Sequence, residues 1–139
     1  MDKKIKHLEM IQSVIERMGN NSFLIKGWSI TLVSAIFVIA IQDKDKITAL
    51  WTLFPAIIFW LLDGFYLWQE RLLRSLYDHV RILAEKNIDF SMDTSKVRDV
   101  RIRGRKNMWI NAVLSKTLFP FHGGIIIAII IAILIFLYL

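Results

Sequence analysis

Six basic side chains lie within eleven residues, from Lys96 to Lys106, and they are the strongest chemical signal in the sequence. Four are arginines, whose planar guanidinium groups bind phosphate oxygens through paired hydrogen bonds. The stretch contains one acid, Asp99. This density predicts a binding site for a polyanion such as a nucleotide or a single-stranded nucleic acid, formed by Arg98, Arg101, Arg103, Arg105 and Lys106.

The same basic stretch has a second interpretation, which stays open. Cytoplasmic segments beside membrane spans collect Lys and Arg, and each such residue is attracted to anionic lipid by about 1 kcal/mol. Nucleic-acid binding would also need flat surfaces on which bases can stack. Phe90, Met92 and Trp109 are the nearby candidates.

Asp63 is the second chemical signal, because it is the one acid inside a long apolar run. An ionisable residue at membrane depth is a functional candidate, and a pore or gate role is one possibility. The other is a structural anchor. Asp63 precedes Trp68 by five residues, about 7–8 Å along a helix, so Lys26 or Arg71 could neutralise it near the membrane boundary.

No set of residues indicates catalysis. The chain has no cysteine and lacks the glycine-rich, nucleophile-elbow and zinc-protease motifs. Its three histidines are isolated in sequence, which favours solvated or interfacial positions for His7, His79 and His122. We therefore expect a protein that is not an enzyme and that holds neither a cofactor nor a metal ion.

Three apolar runs must position these groups, at residues 23–42, 47–68 and 118–139. Each has at least 20 residues, and 20 residues of helix span about 30 Å, the thickness of the bilayer core. The first two runs flank the four-residue sequence DKDK. A helical hairpin satisfies all backbone groups in lipid with so short a turn. The lipid bilayer is thus the first predicted partner.

The distribution of charge predicts the orientation. Residues 70–117 carry eleven Lys and Arg against six acids, and residues 1–26 carry five against three. The positive-inside rule places both segments in the cytoplasm. The N-terminus is then cytoplasmic and the C-terminus lies outside. No cleavable signal peptide is visible, so we expect the first run to remain as an anchor.

These features predict an all-α membrane protein with three transmembrane helices, an amphipathic N-terminal helix and a short helical cytosolic unit. We divide it into a cytosolic helix at 1–22, a transmembrane hairpin at 23–69, a basic cytosolic helical segment at 70–117 and a C-terminal transmembrane helix at 118–139. Residues 19–21 suit a turn after the first helix, and Pro55 suits a kink. Residues 100–103 alternate like a strand, but a helix around Gly104 is an equal alternative.

Two apolar stripes and two rows of small residues predict helix packing. Leu72, Leu76 and Val80 lie on one face of a helix that continues the second run, and we expect residues 5–18 or a neighbouring subunit to cover it. Small residues every four positions let helices approach closely. The first run has such a row, Gly27, Thr31 and Ala35, and the third run has another: Gly124, Ala128 and Ala132.

The segments NNSFLIKGWSITLVSAIF and FWLLDGFYLWQERLLRSLYDHVR resemble small bacterial membrane proteins of anti-phage defence loci. The arrangement of amphipathic helix, hairpin and long cytosolic helix is similar to the SLATT-type effectors. The third span and the arginine-rich segment resemble the membrane subunit of the Hailong system. This resemblance implies an inner-membrane oligomeric channel held closed by short single-stranded DNA, with a nucleotidyltransferase encoded nearby.

The resemblance leads to one principal hypothesis and two alternatives. Three helices cannot enclose a pore, so a channel requires a homo-oligomer, which we take to be a tetramer, with Thr31, Ser34 and Asp63 at the pore or gate. A polyanion at the basic cluster would control opening. The first alternative is a non-conducting membrane anchor that recruits a soluble protein; the second is a small transporter subunit, which the scarcity of polar residues in the spans disfavours.

Overall fold

The computed structural model describes residues 1–98, 101–102 and 105–139, and for Arg101, Ile102 and Arg105 it describes the backbone alone. Helices dominate this part of the chain, as predicted. In order, the elements are α1 (Asp2–Gln42), α2 (Lys46–Trp51), α3 (Leu53–Arg81), the strands β1 (Arg101–Ile102) and β2 (Arg105–Lys106), α4 (Trp109–Val113) and α5 (Phe119–Tyr138).

Three stretches of helix are long and apolar enough to cross a membrane: Asp2–Gln42, Lys46–Arg81 and Phe119–Tyr138. This confirms the predicted number of candidate spans. Their outer surfaces expose large apolar side chains, among them Trp28, Phe54 and Ile131. A water-soluble protein rarely exposes apolar surface on this scale, whereas lipid would cover it.

α1 is continuous for 41 residues, so the turn predicted at residues 19–21 is wrong. The helix packs along α3 through buried or half-buried positions three or four residues apart on both sides of Gly19, including Ile15, Ser22 and Ile25. This packing favours the helix over the turn that Gly and Asn prefer locally. The predicted boundary at residue 22 is therefore not marked by any break in the helix.

The second apolar run is divided near Pro55, where a kink was predicted. α2 ends at Trp51 and α3 begins at Leu53, with Thr52 buried between them. Proline lacks an N–H and its ring clashes with the carbonyl group four residues earlier, here that of Trp51. The Thr52 hydroxyl donates to the Ala49 carbonyl oxygen at 2.7 Å and so remains satisfied.

The turn between α1 and α2 is held by Asp45, which caps α2. Its carboxylate accepts hydrogen bonds from the Thr48 hydroxyl at 2.5 Å and from the Ile47 N–H at 2.9 Å. These two bonds, the first foremost, lower the pKa of Asp45 below its ordinary value. Lys44 adopts the left-handed backbone conformation with φ 51°, which completes this short turn.

Residues 5–18 cover the apolar stripe of α3, which confirms the first of its two predicted partners. Ile11 and Ile15 form a core with Leu73, Leu76 and Val80, and Val97 closes it. We call the part of the molecule built from residues 1–21 and 70–117 the basic end. The core of the basic end is one of two in the structure as described.

Much of residues 82–108 is not α-helical, so the prediction of a helical segment across 70–117 is wrong there. After Arg81 the chain forms two short 3₁₀ turns, Glu85–Asn87 and Ser95–Val97. Just before the second turn, Asp93 accepts hydrogen bonds from the N–H and hydroxyl of Ser95. β1 then pairs with β2 in antiparallel register.

The second core lies among the spans. Val33 and Ala40 of α1 pack with Ala49, Ala56, Ile129 and Ile133. Three of these six side chains are alanines, which let the helix backbones approach closely. α5 contacts α2 and α3 more than α1, so a groove of about 360 Å³ remains between α1 and α5.

Candidate functional site

Asp63 lies at the centre of a buried polar network to which all three spans contribute. Its side chain is 0% exposed. Oδ2 accepts hydrogen bonds from Nζ of Lys26 and from Nε2 of His122, both at 2.7 Å. Oδ1 accepts a short hydrogen bond from the Ser22 hydroxyl, whose oxygen in turn accepts from Lys26 at 2.8 Å. The predicted pairing of Asp63 with Lys26 is confirmed.

The local structure explains how four distant residues meet. Ser22 and Lys26 are four residues apart in α1, so both project from one face of that helix. Asp63 lies in α3, which packs along α1, and His122 lies in the first turns of α5. We call Ser22, Lys26, Asp63 and His122 the span network.

The hydrogen bonds of the span network determine the tautomer of His122. An ionised carboxylate only accepts hydrogen bonds, so the bond to Asp63 requires a proton on Nε2 of His122. In the neutral ring, Nδ1 then carries a lone pair. Nδ1 is buried and has no hydrogen-bond partner among the described residues. His122 is 1% exposed, so a solvated position, one of the two predicted alternatives, is wrong.

Aromatic rings enclose His122. The Trp60 ring lies parallel to the imidazole, at 9° with 6.1 Å between centroids, and Phe121 meets it edge-on at 5.0 Å. Nζ of Lys26 lies 5.9 Å from the centroid of Phe121, within the range of a cation–π contact. Trp60 is itself fixed by a 2.9 Å hydrogen bond to the Val113 carbonyl oxygen.

Three indole N–H groups form hydrogen bonds between α3 and the segment after β2. Besides Trp60, Trp68 donates to the Asn107 carbonyl oxygen at 3.2 Å, and Trp109 donates to the Leu61 carbonyl oxygen at 3.1 Å. The structure therefore places the indole of Trp109 against α3. Gly64 allows this packing, because a Cβ there would overlap the side chain of Val113.

The span network is neutral as a unit. The Lys26 ammonium compensates the Asp63 carboxylate, and the hydrogen bonds from Ser22 and His122 satisfy remaining lone pairs. A buried charge pair is tolerated only with such additional bonds, and removing one partner is far more costly than never having had the pair. The network can thus fix the relative positions of the three spans.

The other two residues predicted at a pore or gate lie elsewhere. Thr31 and Ser34 are exposed on the surface of α1. The Thr31 hydroxyl donates to the Gly27 carbonyl oxygen at 2.9 Å, which satisfies it without another helix. Within one copy of the chain, the structure separates these hydroxyls from the buried Asp63.

Four of the five residues of the predicted polyanion site lie in the described part of the basic end. Arg98 follows the second 3₁₀ turn and is exposed, as is Lys106. The strand register pairs Arg101 with Lys106 and Arg105 with Ile102. The strand alternative for residues 100–103 was thus right for Arg101 and Ile102, whereas Val100, Arg103 and Gly104 lie outside the described residues. Like Trp109, the other two residues predicted to stack on bases contact other side chains. Phe90 contacts the His7 ring, and Met92 packs on the core of the basic end.

Sequence reasoning missed Ser22 and His122. A usable signal was present: each apolar run holds one acidic or basic side chain (Asp, Glu, Lys, Arg or His), close to the end that borders the basic segments. Lys26 lies in the first run, Asp63 in the second and His122 in the third. In antiparallel neighbouring helices, groups at equal depth lie side by side, and unpaired charges at that depth are costly.

Comparisons of the chain with protein-family models, with curated proteins and with solved structures find no match. The class of protein therefore rests on the structure itself. Three apolar helices of membrane-spanning length, held together by a buried polar network, are compatible with a multi-pass membrane protein.

Proposed function

We propose that this chain is the subunit of an oligomeric ion channel of the bacterial inner membrane, an effector of anti-phage defence controlled by a polyanion. The observation that carries the proposal is a row of small residues on α1 that none of the described residues of the same copy covers. The N-terminus and the basic end lie in the cytoplasm in this proposal, because the positive-inside rule favours that orientation.

The uncovered row consists of Gly27, Thr31 and Ala35, which are all exposed. A Cβ built on Gly27 meets no atom within 4 Å. α1 uses its opposite face for packing within the copy, where Ser29 and Val33 are buried. Small residues four positions apart suit close contact with a second helix, and a second copy of α1 offers the same row.

A ring of copies joined through this row supports a conducting path. Three helices cannot enclose water, whereas a symmetric ring can. Thr31 and Ser34 would then lie near the symmetry axis beside apolar residues that can gate by excluding water. We take the ring to be a tetramer. Asp63 acts in this proposal by holding the three spans together, since its burial leaves it off the pore wall.

The basic cluster, which consists of Arg98, Arg101, Arg103, Arg105 and Lys106, is the proposed site at which a ligand controls channel opening. In a ring, the basic clusters of neighbouring copies lie close together. Repulsion between their like charges favours separation of the clusters. A nucleotide or a single-stranded DNA oligomer would neutralise them and stabilise one arrangement of the ring. A nucleotidyltransferase encoded nearby would support this proposal, because it could make such a ligand.

Replacing Gly27 with leucine should dissociate the ring. Overpacking a contact costs about 1–3 kcal/mol, so we expect association about 5-fold to 150-fold weaker and loss of ion flux in liposomes. Gly27→Ala keeps a small residue and is the matched control, expected to conduct. The oligomer is measured by light scattering in detergent. An unchanged oligomer with unchanged flux in Gly27→Leu would contradict the proposed interface.

Reversing three charges of the basic cluster tests whether this cluster binds the polyanion. We expect the variant with Arg101, Arg103 and Arg105 changed to glutamate to lose binding of single-stranded DNA. Binding by the wild type should fall with salt, because each phosphate contact contributes about 0.7 to the slope of the logarithm of affinity against that of salt concentration. A variant with Lys3, Lys6 and Arg17 changed to glutamate is the control of equal charge and should still bind. Equal loss in both variants would show a general charge effect.

A non-conducting anchor that recruits a soluble protein is the second candidate. One observation favours it: Asp63, the acid within the spans, is fully paired inside a single copy, so it offers no charge to a pore. Ion flux from the purified chain in liposomes separates the candidates. A channel conducts without another protein, whereas an anchor does not.

A further inference from the structure

One oxygen atom of Asp63 holds two nitrogen donors from different helices. Nζ of Lys26 and Nε2 of His122 each lie 2.7 Å from Oδ2. This arrangement is favourable while one of the donors is neutral. With Lys26 charged and His122 neutral, the network has one positive and one negative charge, and a buried site tolerates such a balanced pair.

We propose that His122 is a proton-binding site, and that its protonation displaces Lys26 from Asp63. A second proton would enter at Nδ1, which is buried without a partner in the described part of the chain. The network would then carry a net charge of +1 and a new N–H with no acceptor. Both changes are unfavourable in a buried site.

The charges and positions of the groups that face His122 determine which group moves when the imidazole is protonated. α1 contributes Lys26 and Ser22, α3 contributes Asp63 and Trp60, and α5 contributes Phe121. A protonated imidazole attracts Asp63 and the Trp60 ring but repels Lys26. Lys26 is 21% exposed, and its long side chain can reach the headgroup layer. Lys26 therefore leaves, and the contact between α1 and α3 loses its ion pair.

Protonation thus exchanges one counter-ion of Asp63 for another and releases Lys26 from the carboxylate. Any effect of this release on conduction rests on the proposed channel function, whereas proton binding does not. For this reason the test uses stability and fluorescence of the purified full chain in detergent, so that a failed flux assay and a failed proton site are distinguishable.

The first measurement is Tm at about pH 8 and about pH 5.5, the range in which a free imidazole takes up its proton. We expect the wild type to lose about 5 °C on acidification. His122→Gln keeps an N–H donor for Asp63 but binds no proton, so its loss should be smaller. His7 and His79 contribute equally to both proteins. An equal loss in both would overturn the proposal.

In the Lys26→Met variant, we expect the effect of His122 protonation on Tm to have the opposite sign. Without the ammonium, the imidazolium becomes the counter-ion of Asp63, so acidification should raise Tm relative to the His122→Gln protein. A fall in Tm as large as that of the wild type would overturn the proposal. This variant separates displacement of Lys26 from general destabilisation by acid.

Fluorescence of Trp60 keeps the test valid if either variant fails to fold. A protonated imidazole stacked on an indole quenches its emission, and Trp60 lies parallel to His122. We expect the wild type to lose emission on acidification in the same pH range, and Trp60→Phe to lose none of its remaining emission. Equal changes in both proteins would overturn the proposal.

Discussion

Asp63→Asn should destabilise the protein by about 3–5 kcal/mol, the usual cost of breaking a buried charge pair by removing one partner. The substitution keeps the shape of the side chain but leaves the Lys26 ammonium without its counter-ion. His122 also loses a charged acceptor. The free energy of unfolding can be measured by titration with SDS in detergent micelles. Asp43→Asn is the matched control: Asp43 is exposed in the turn after α1, so its change should stay within about 0.5 kcal/mol.

A double-mutant cycle shows whether the cost comes from the uncompensated charge. Lys26→Met removes the ammonium that Asp63→Asn leaves unpaired. We expect the double variant to be at least as stable as Asp63→Asn alone, with a coupling free energy of about 1–3 kcal/mol. Additive effects would mean that Lys26 and Asp63 do not interact as the 2.7 Å distance indicates.

Gly64→Ala should destabilise the protein although alanine is the better helix former. The propensity gain is about 1 kcal/mol. Against it, the added Cβ would overlap a γ-methyl group of Val113 and lie 3.2 Å from its Cα. Overpacking of this kind costs about 1–3 kcal/mol or more when the backbone must move, so we expect a net loss of about 1–2 kcal/mol. Gly19→Ala, with no atom within 4 Å of the new Cβ, should instead gain up to about 1 kcal/mol.

Trimming the opposing side chain should relieve the overlap. In a Val113→Ala background the γ-methyl group is absent, so Gly64→Ala should cost less than it does in the wild type, or nothing. Thermal unfolding of the four proteins in detergent measures this difference. An equal cost in both backgrounds would show that α4 does not approach α3 at Gly64 in the folded protein.

Much of the fold could be predicted, because it depends on properties that act along a single segment. The length and apolarity of three runs fixed the number of candidate spans, since lipid requires every backbone group to bond within its own helix. The apolar stripe of α3 predicted a partner, and α1 is that partner. The missing N–H of Pro55 predicted an interruption, which occurs at Thr52, within the turn that its ring disturbs.

The predictions that failed concern competition between local preference and packing. Gly and Asn at residues 19–21 favour a turn, yet α1 continues through them, because contacts with α3 on both sides outweigh a preference of about 1 kcal/mol per residue. The helical segment predicted across 70–117 is interrupted after Arg81, where the described residues form two 3₁₀ turns, irregular chain and two short strands. Their side chains close the core of the basic end through Val97.

The span network shows most clearly what the sequence determined and what the tertiary structure decided. The sequence determined that Asp63 lies in an apolar run, where an isolated charge is costly, and it offered Lys26 and Arg71 as counter-ions in one of two alternatives. Only the structure decided that Ser22 and His122 share this carboxylate. Hydrogen bonds between α1, α3 and α5 depend on the rotation and height of three separate helices, and these are set by side-chain packing between helices rather than by any pattern within one of them.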